Sequence, residues 1–364
     1  MFTRAAEEIA QKKEIYQTSY LETGRDYYKY SPAFAVAMIP LSKLHKHLAV
    51  PLWYLSIFIF FTSSIYFTKK ILVADKDEKI LSKAFYSFGI LLSLRFLLSI
   101  LQRVQSDGLV LFLLSLFIFA LFYKKQALAG IALATAVMVK LTPLIFLPYL
   151  IFRKKFKALL ACVAALLFYA WSPSLLVGSA KNLEYLKNWL LVHKTNPADY
   201  LLWYKNQSLF SCLSRFFTQG SPVSLLNLNQ TLVFIIFITL AAALCCLIFV
   251  LCRKLPITNN GPAYLTEISL VLVCMILFSP LAWKHTFIHL LIPHLVLLYY
   301  VLYLNPGDRA ARLLLIGSFV LNTVLNPELT KPIAETVQLY SSVTFGTLFL
   351  FAALLRVRYK LCKR

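Results

Sequence analysis

Three cations stand inside apolar stretches where lipid would oppose them. Arg95 lies in the run Ala84–Leu101, and Lys140 closes the run Ala127–Val139 just before Leu141-Thr142-Pro143. Lys284 precedes His285 in Ser279-Pro280-Leu281-Ala282-Trp283-Lys284-His285, between two further apolar runs. A charge at bilayer depth costs about 3 kcal/mol even on lenient insertion scales, so such side chains usually face a cavity with an anionic guest or partner. The chemistry they suit is the holding of something negatively charged within a membrane. A plainer role remains open for each: Arg95 as the ion-pair partner of Asp107 or Glu267, and His285 as a satisfied interface histidine. His289, four residues on, can share the face of His285, and His294 reads as packing.

The elements that must position these residues are apolar helices. The 364 residues are 60% hydrophobic and 14% charged, with a mean hydropathy of +0.72; this excludes an ordinary soluble domain and fits a polytopic membrane protein. A full span takes about 20 apolar residues. The runs Leu48–Lys69, Ala84–Gln102, Gly108–Tyr123, Gln126–Leu141, Pro143–Phe152, Ala158–Gly178, Thr231–Cys252, Tyr264–Leu281, Thr286–Leu304, Ala310–Asn326 and Val337–Leu355 predict an all-α chain of about eleven helices. Gln126–Leu141 and Pro143–Phe152 are too short to be two full spans. They predict a hairpin of half-helices with Lys140 near its apex, broken where Pro143 removes a backbone donor. Ser172-Pro173 and Ser279-Pro280 mark similar ends.

The formal net charge of +22 is distributed as a topology signal. Lys and Arg concentrate in alternate loops: Lys69 to Lys83, Lys124-Lys125, Arg153 to Lys157, Arg253-Lys254, Arg309 with Arg312, and Arg356 to Arg364. By the positive-inside rule these loops and the C-terminus are cytoplasmic, and no nucleic-acid partner is implied. The organisation expected is an exterior segment 1–47, a membrane group 48–178, an exterior loop 179–230, a second membrane group 231–355 and a cytoplasmic tail 356–364. Residues Met1–His47 would then lie outside with no apolar segment ahead of them to carry them across. The charge pattern therefore predicts one further helix upstream of Met1, the alternative being an unusual protein whose N-terminal tail is exported unaided. The seven cysteines form no exterior pair, and no Cys/His spacing matches a metal site.

Two exterior stretches carry side chains that suit sugars. Residues 1–47 have a helical start at Ala5–Ala10, an aromatic patch Asp26-Tyr27-Tyr28-Lys29-Tyr30 and a short apolar helix, Ala33–Leu41, expected at the interface. The second stretch holds Tyr200, Trp203 and Tyr204, then Asn206-Gln207-Ser208. Aromatic rings offer flat stacking surfaces, and carboxamides offer paired hydrogen bonds to hydroxyls. An interfacial aromatic belt explains the rings equally well. Asn206-Gln207-Ser208 is also a glycosylation sequon, a pattern common by chance.

Several blocks resemble glycosyltransferase family eighty-seven, polytopic enzymes of the GT-C class. Tyr30-Ser31-Pro32-Ala33-Phe34 with Pro40 looks like its Tyr-Pro-Pro-Phe…Pro segment, and Gln105-Ser106-Asp107 stands where the family has Gln-x-Asn. Ala129-Gly130 through Lys140 and Pro143 to Arg153-Lys154-Lys155 is similar to its Ala-Gly…Lys-x-x-Pro…basic pattern. Asn206-Gln207-Ser208-Leu209 and Ser279–His285 match two more blocks. The resemblance runs from about residue 1 to 305, and five blocks in the right order make it specific.

The resemblance implies inverting, metal-independent transfer of a mannose-like sugar from a polyprenyl-phosphate carrier to a hydroxyl of a lipid or glycan acceptor. The site would lie on the exterior face of the cell membrane, and no cofactor is needed. A carboxylate takes the acceptor proton, while Arg95, Lys140, Lys284 and His285 stabilise the departing lipid phosphate. Tyr30, Gln105, Asp107, Asn206, Gln207 and Trp283 would contact sugar or acceptor. The family's catalytic aspartate precedes a Tyr/Phe-x-x-Ala-Ala stretch; Phe2-Thr3-Arg4-Ala5-Ala6 matches that stretch, so the aspartate would fall upstream of Met1. Asp26 is the nearest carboxylate left to substitute, with Asp107 next, and without either the chain as written would be inactive. The competing readings are a transporter or flippase for a lipid-linked or anionic solute, and an inactive scaffold.

Overall fold

The computed structural model describes residues 1–16, 28–74, 81–194, 199–253, 260–325 and 333–362. The helices are α1 (Phe2–Ala10), α2 (Pro32–Ala37), α3 (Ile39–Ser42), α4 (Lys46–Leu72), α5 (Lys83–Arg103), α6 (Asp107–Phe122), α7 (Gln126–Val139), α8 (Phe146–Phe152), α9 (Phe156–Trp171), α10 (Ser174–Val177), α11 (Ser179–Lys194) and α12 (Asp199–Leu202). They continue as α13 (Leu209–Phe217), α14 (Gln230–Arg253), α15 (Gly261–Leu277), α16 (Leu291–Tyr299), α17 (Arg309–Phe319), α18 (Ile333–Leu339) and α19 (Ser342–Cys362). Among the described residues there is no strand, and six helical stretches are long and apolar enough to cross a membrane. The protein is an all-α polytopic membrane protein. Large side chains such as Leu160, Leu167 and Phe168 on α9 and Phe234, Ile235 and Phe249 on α14 are exposed, as lipid-facing surfaces require.

The apolar runs became helices, with differences at their ends that have local causes. Lys140 caps α7 in an extended conformation (φ −150°, ψ 134°), and Pro143 opens a 3₁₀ turn, Thr142–Ile145, before α8. The expected interruption at Lys140 is present. The run Val337–Leu355 divides at Ser341, which takes φ +61° between α18 and α19. The second of these continues through residues expected as a tail. The interfacial helix expected over Ala33–Leu41 is two short helices, with Pro32 to Ala35 buried in protein.

The chain forms two compact units: Met1–Phe61 with Phe112–Pro197, and Thr62–Leu111 with Ala198–Arg364. In the first, α7 lies so close to α9 that a Cβ on Gly130 would meet Ala158 O at 2.3 Å and Cys162 N at 2.7 Å. The alanine-rich faces of both helices permit this approach, the usual means of helix association where solvent gives no hydrophobic drive. Thr135 Oγ1 and Tyr169 Oη, 2.8 Å apart, tie the same pair. The N-terminal segment packs against α11: Tyr185 donates to Lys13 O at 2.6 Å and Trp189 Nε1 to Lys29 O at 3.1 Å.

In the second unit α15 is buried continuously from Tyr264 to Leu277, as is most of the stretch Lys284–Leu304. Gly261 sits where a Cβ would overlap Ile71 O. Arg358 on α19 donates to Glu267 on α15 at 2.6 Å, and both side chains are almost fully enclosed. This pair explains why the last helix persists past residue 355. Asp308, the N-cap of α17, accepts from Ala311 N, Tyr300 Oη, Arg356 Nε and Lys360 Nζ.

Two outcomes follow for stability. Gly130→Ala should cost about 1–3 kcal/mol, read as a lower Tm in detergent. Burial alone would raise the Asp308 pKa, but hydrogen bonds from Lys360, Ala311 N, Arg356 and Tyr300 carry it from 3.8 to about 2. A depressed carboxylate stabilises the fold above its unfolded pKa and loses that contribution as pH falls through the folded one. Wild-type Tm should therefore decline between about pH 4 and pH 2 more steeply than that of Asp308→Asn, and parallel curves would refute the assignment.

Candidate active site

The site begins where α5 ends. Val104 takes a left-handed conformation (φ +51°, ψ 46°), a strained choice for a β-branched residue. Gln105 N bonds back to Ile100 O at 3.2 Å. The chain thereby turns through Ser106 and starts α6 at Asp107. The Asp107 side chain is fully buried at a helix N-terminus, where the peptide dipoles favour an anion. Its Oδ2 lies 3.7 Å from His285 Nε2. An acidic residue from one loop and an imidazole from another are thus brought together within one unit.

His285 is placed by a break and a clamp. The helix α15 stops at Leu277, Pro280 follows, and Trp283 is extended (φ −82°, ψ 163°) before a 3₁₀ helix, Lys284–Leu290. The 280–282 backbone has no helix or sheet partner of its own. Asn206 supplies it: Nδ2 donates to Pro280 O at 3.1 Å and Oδ1 accepts from Ala282 N at 3.0 Å. The same carboxamide reaches Tyr200 O and Ser208 N, and Gln207 N donates to Ala282 O. Gln207 then holds the entry to α19, with Nε2 donating to Gln338 O, Oε1 accepting from Val343 N, and its carbonyl accepting from Thr344 Oγ1. Both side chains, expected to face a sugar, are buried and committed to backbone.

Arg215 completes the clamp and was not singled out from sequence. It is fully buried, donating to Leu339 O, Trp203 O, Asn206 O, Ser211 Oγ and Ser341 Oγ at 2.7–3.0 Å. Burial pushes its pKa down to about 10, which still leaves it charged at neutral pH. It falls with Ser211 and Ser214 on the polar side of the amphipathic stretch Leu209–Phe217, so the sequence gives no sign that it is buried.

Over this framework sit three rings. Trp203 stacks on Tyr200 (centroids 5.8 Å, 20° between planes) and meets Trp283 edge-on at 5.2 Å; Tyr200 and Trp283 are 5.7 Å apart. Lys205 Nζ lies 4.7 Å from the Trp203 ring centroid. Tyr204 Oη donates to Glu335 at 2.9 Å.

Arg95 is buried on α5 and donates through Nη1 to Asn322 O. Asn322 lies in a π-helical turn, Val320–Val324, that ends the helix begun by α17, where carbonyls run out of intrahelical partners. Thr323 Oγ1 reaches Leu92 O from the same turn. A Cβ at Gly346 would strike Asn322 Oδ1 at 2.4 Å, so α19 needs a glycine there. The next residue after Arg95, Phe96, stacks on Phe287 of the His285 helix at 5.7 Å. Glu267, one expected partner of Arg95, is instead bound to Arg358.

The second unit therefore contains Arg95, Gln105, Asp107, Asn206, Gln207, Trp283, Lys284 and His285. Lys140 and Tyr30 belong to the first. The Tyr30 ring packs among Phe2, Tyr28 and Phe34 with centroids 5.1–5.5 Å away. Asp26 lies outside the described residues. His289 bonds Thr286 O at 2.7 Å and His294 is enclosed in α16.

The family model for glycosyltransferase family 87 matches residues 28–280, a range that takes in the 206–208 clamp and the start of the loop it holds. The chain belongs to glycosyltransferase family 87. No curated protein and no solved structure matches it. A family 87 member is a membrane glycosyltransferase, which favours transfer over transport for this chain. The arrangement can orient an imidazole against a carboxylate beside a lysine and an aromatic surface, as handling a sugar and an anionic group requires.

Asn206→Asp keeps the clamp's shape but sets an acceptor against Pro280 O and Tyr200 O. Each carbonyl left unsatisfied should cost about 1–3 kcal/mol. The expected result is a lower Tm together with loss of glycosyl transfer, while Asn206→Asp with unchanged stability would dissolve the clamp.

Proposed function

We propose that this chain transfers a mannose-like sugar from a polyprenyl-phosphate carrier to a hydroxyl of a lipid or glycan acceptor, with inversion and without a metal ion. The observation that carries the reading is the Asp107–His285 pair, 3.7 Å apart, beside Lys284. Family membership supports a lipid-linked donor and acceptor in general terms.

The reaction forms a bond from the acceptor oxygen to the anomeric carbon and breaks the bond from that carbon to the phosphate oxygen. The acceptor loses a proton, and the lipid phosphate leaves with one more negative charge. Asp107 orients the His285 ring, which then offers an N–H to the departing phosphate. Lys284, next to His285 in the chain, supplies further positive charge. The base for the acceptor is assigned to Asp26. A second reading is favoured by the same short distance: Asp107 and His285 act as a dyad, with neutral His285 taking the acceptor proton. Gln105 and Trp283 contact sugar, while Asn206 and Gln207 hold the loop.

The lysine and arginine pattern supports a cell-membrane protein with a cytoplasmic C-terminus and the site on the exterior or periplasmic side. Segments 1–47 and 179–230 would be exterior, and 48–178 and 231–355 the membrane groups.

Purified protein incubated with polyprenyl-phosphate-[14C]mannose and a lipid extract should move label into a new lipid. Use of a nucleotide sugar in place of this donor would reject the donor class. His285→Ala should lower turnover by about 10²–10⁴-fold in protein that still elutes as a folded species, and wild-type turnover would remove His285 from the mechanism. The pH profile separates the two readings. A cationic His285 gives activity that falls as pH rises, and a basic dyad gives activity that falls as pH drops.

A further inference from the structure

We infer that the two lysine-paired turns leading into α7 and α9 form one docking surface for an anionic phospholipid with two phosphates in its headgroup. The surface lies wholly within the first compact unit and does not depend on the transferase reading.

A repeated turn carries the inference. α6 is followed by Tyr123-Lys124-Lys125 and α8 by Arg153-Lys154-Lys155. At the first turn Lys125 N bonds Ala120 O at 2.8 Å and Lys124 N bonds Leu121 O at 3.3 Å. At the second Lys155 N bonds Leu150 O at 2.8 Å and Lys154 N bonds Ile151 O at 3.0 Å. Lys124 and Lys154 are both left-handed, at φ +61° and +53°. Each turn is the helix-ending motif whose left-handed position is usually glycine, which has no Cβ to clash there. A charge that only sets topology needs no fixed conformation. Here lysine twice occupies the position that glycine fills more easily, and a second lysine follows it with the same geometry.

The two turns lie side by side. Gly130, five residues past Lys125, meets α9 between Ala158 and Cys162, which are three and seven residues past Lys155. Thr135 meets Tyr169 further along both helices. α7 and α9 therefore run parallel from starts at the same level, and packed helix axes are about 8–10 Å apart. Lys124, Lys125, Arg153, Lys154, Lys155 and Lys157 share this end, and the sequence has no Asp or Glu between Asp107 and Glu184. Just inside the turns, Leu128, Phe156 and Leu160 are exposed apolar side chains. Cations and apolar side chains thus follow one another in the order that a phospholipid presents its phosphates and acyl chains. One phosphate for each lysine pair, joined by the short bridge of a two-phosphate headgroup, matches the duplication, whereas a single phosphate would engage half of it. Clusters of lysine and arginine at the ends of membrane helices bind such headgroups. On the topology proposed above this end faces the cytoplasm, so the lipid comes from the inner leaflet.

The test follows Tm of the purified chain in neutral detergent. The additives are tetraoleoyl cardiolipin, dioleoyl phosphatidylglycerol at matched total phosphate, dioleoyl phosphatidylcholine and sodium pyrophosphate. Cardiolipin should raise Tm saturably, as a ligand of the folded state does. Phosphatidylglycerol should raise it distinctly less, and the other two not at all. Lys124→Gly with Lys154→Gly keeps both left-handed turns, removes one charge from each, and should weaken apparent cardiolipin affinity at least tenfold. Lys125→Gln with Lys155→Gln leaves the left-handed positions untouched and should do the same. The control, Lys83→Gln with Arg309→Gln, removes equal charge from exposed positions in the second unit and should leave the affinity as it was. Equal stabilisation by phosphatidylglycerol, or equal weakening in the control, would reduce the effect to bulk charge and overturn the paired surface. Stabilisation by pyrophosphate to the same extent would replace the lipid with a soluble anion and overturn it too. Native mass spectrometry gives a readout independent of Tm: wild type should retain a cardiolipin that both double variants lose, and retention of none by wild type would sink the inference.

Discussion

A loop placed inside a membrane protein must satisfy its backbone without helix or sheet, and one carboxamide does much of that here. Asn206 accepts from Ala282 N and donates to Pro280 O, so the segment leading to Trp283, Lys284 and His285 is held by a side chain from another part of the sequence. In water such hydrogen bonds would be replaced at little net cost; away from water each unsatisfied group costs several kcal/mol. Gln207 and Arg215 extend the arrangement to Gln338, Leu339, Ser341 and Val343. The conformation of the loop that carries His285 and the start of α19 are thus parts of one polar network.

The same logic governs the cations. Arg95 is tolerated because a helix ends beside it in a π turn with carbonyls to spare, and Asn322 O accepts from it. Arg358 is tolerated because Glu267 faces it. Arg215 is tolerated because five acceptors surround it. Cations that look alike in composition therefore serve different ends. Only those near Asp107 and His285 are candidates for chemistry.

Much of the helical architecture was legible in the sequence, because apolar runs of span length leave few alternatives. The interruption at Lys140–Pro143 was legible for the same reason, since proline removes a donor that lipid cannot replace. The Asp107–His285 contact was not, although both residues stood in recognised blocks. No periodicity links residues 178 apart, and a pairing set by the turn at Val104 and the break at Pro280 has no local signature. Asn206 and Gln207 were visible as polar residues among aromatics, which suggested ligand contact; that their carboxamides face backbone depended on the missing partners of a loop elsewhere. The division of α18 from α19 at Ser341 was hidden because a positive φ at serine leaves no mark in composition.

The Glu267–Arg358 pair has a consequence for how the molecule is made. Its two members are 91 residues apart, with the carboxylate synthesised first. α15 must therefore enter the translocation machinery bearing an acid whose cation does not yet exist. Until the ribosome delivers α19, Glu267 has to be accommodated by water or by a surrogate donor. Completion of the second unit is in this sense withheld until α19 has emerged, and the closing step is the meeting of two opposite charges in a greasy interior.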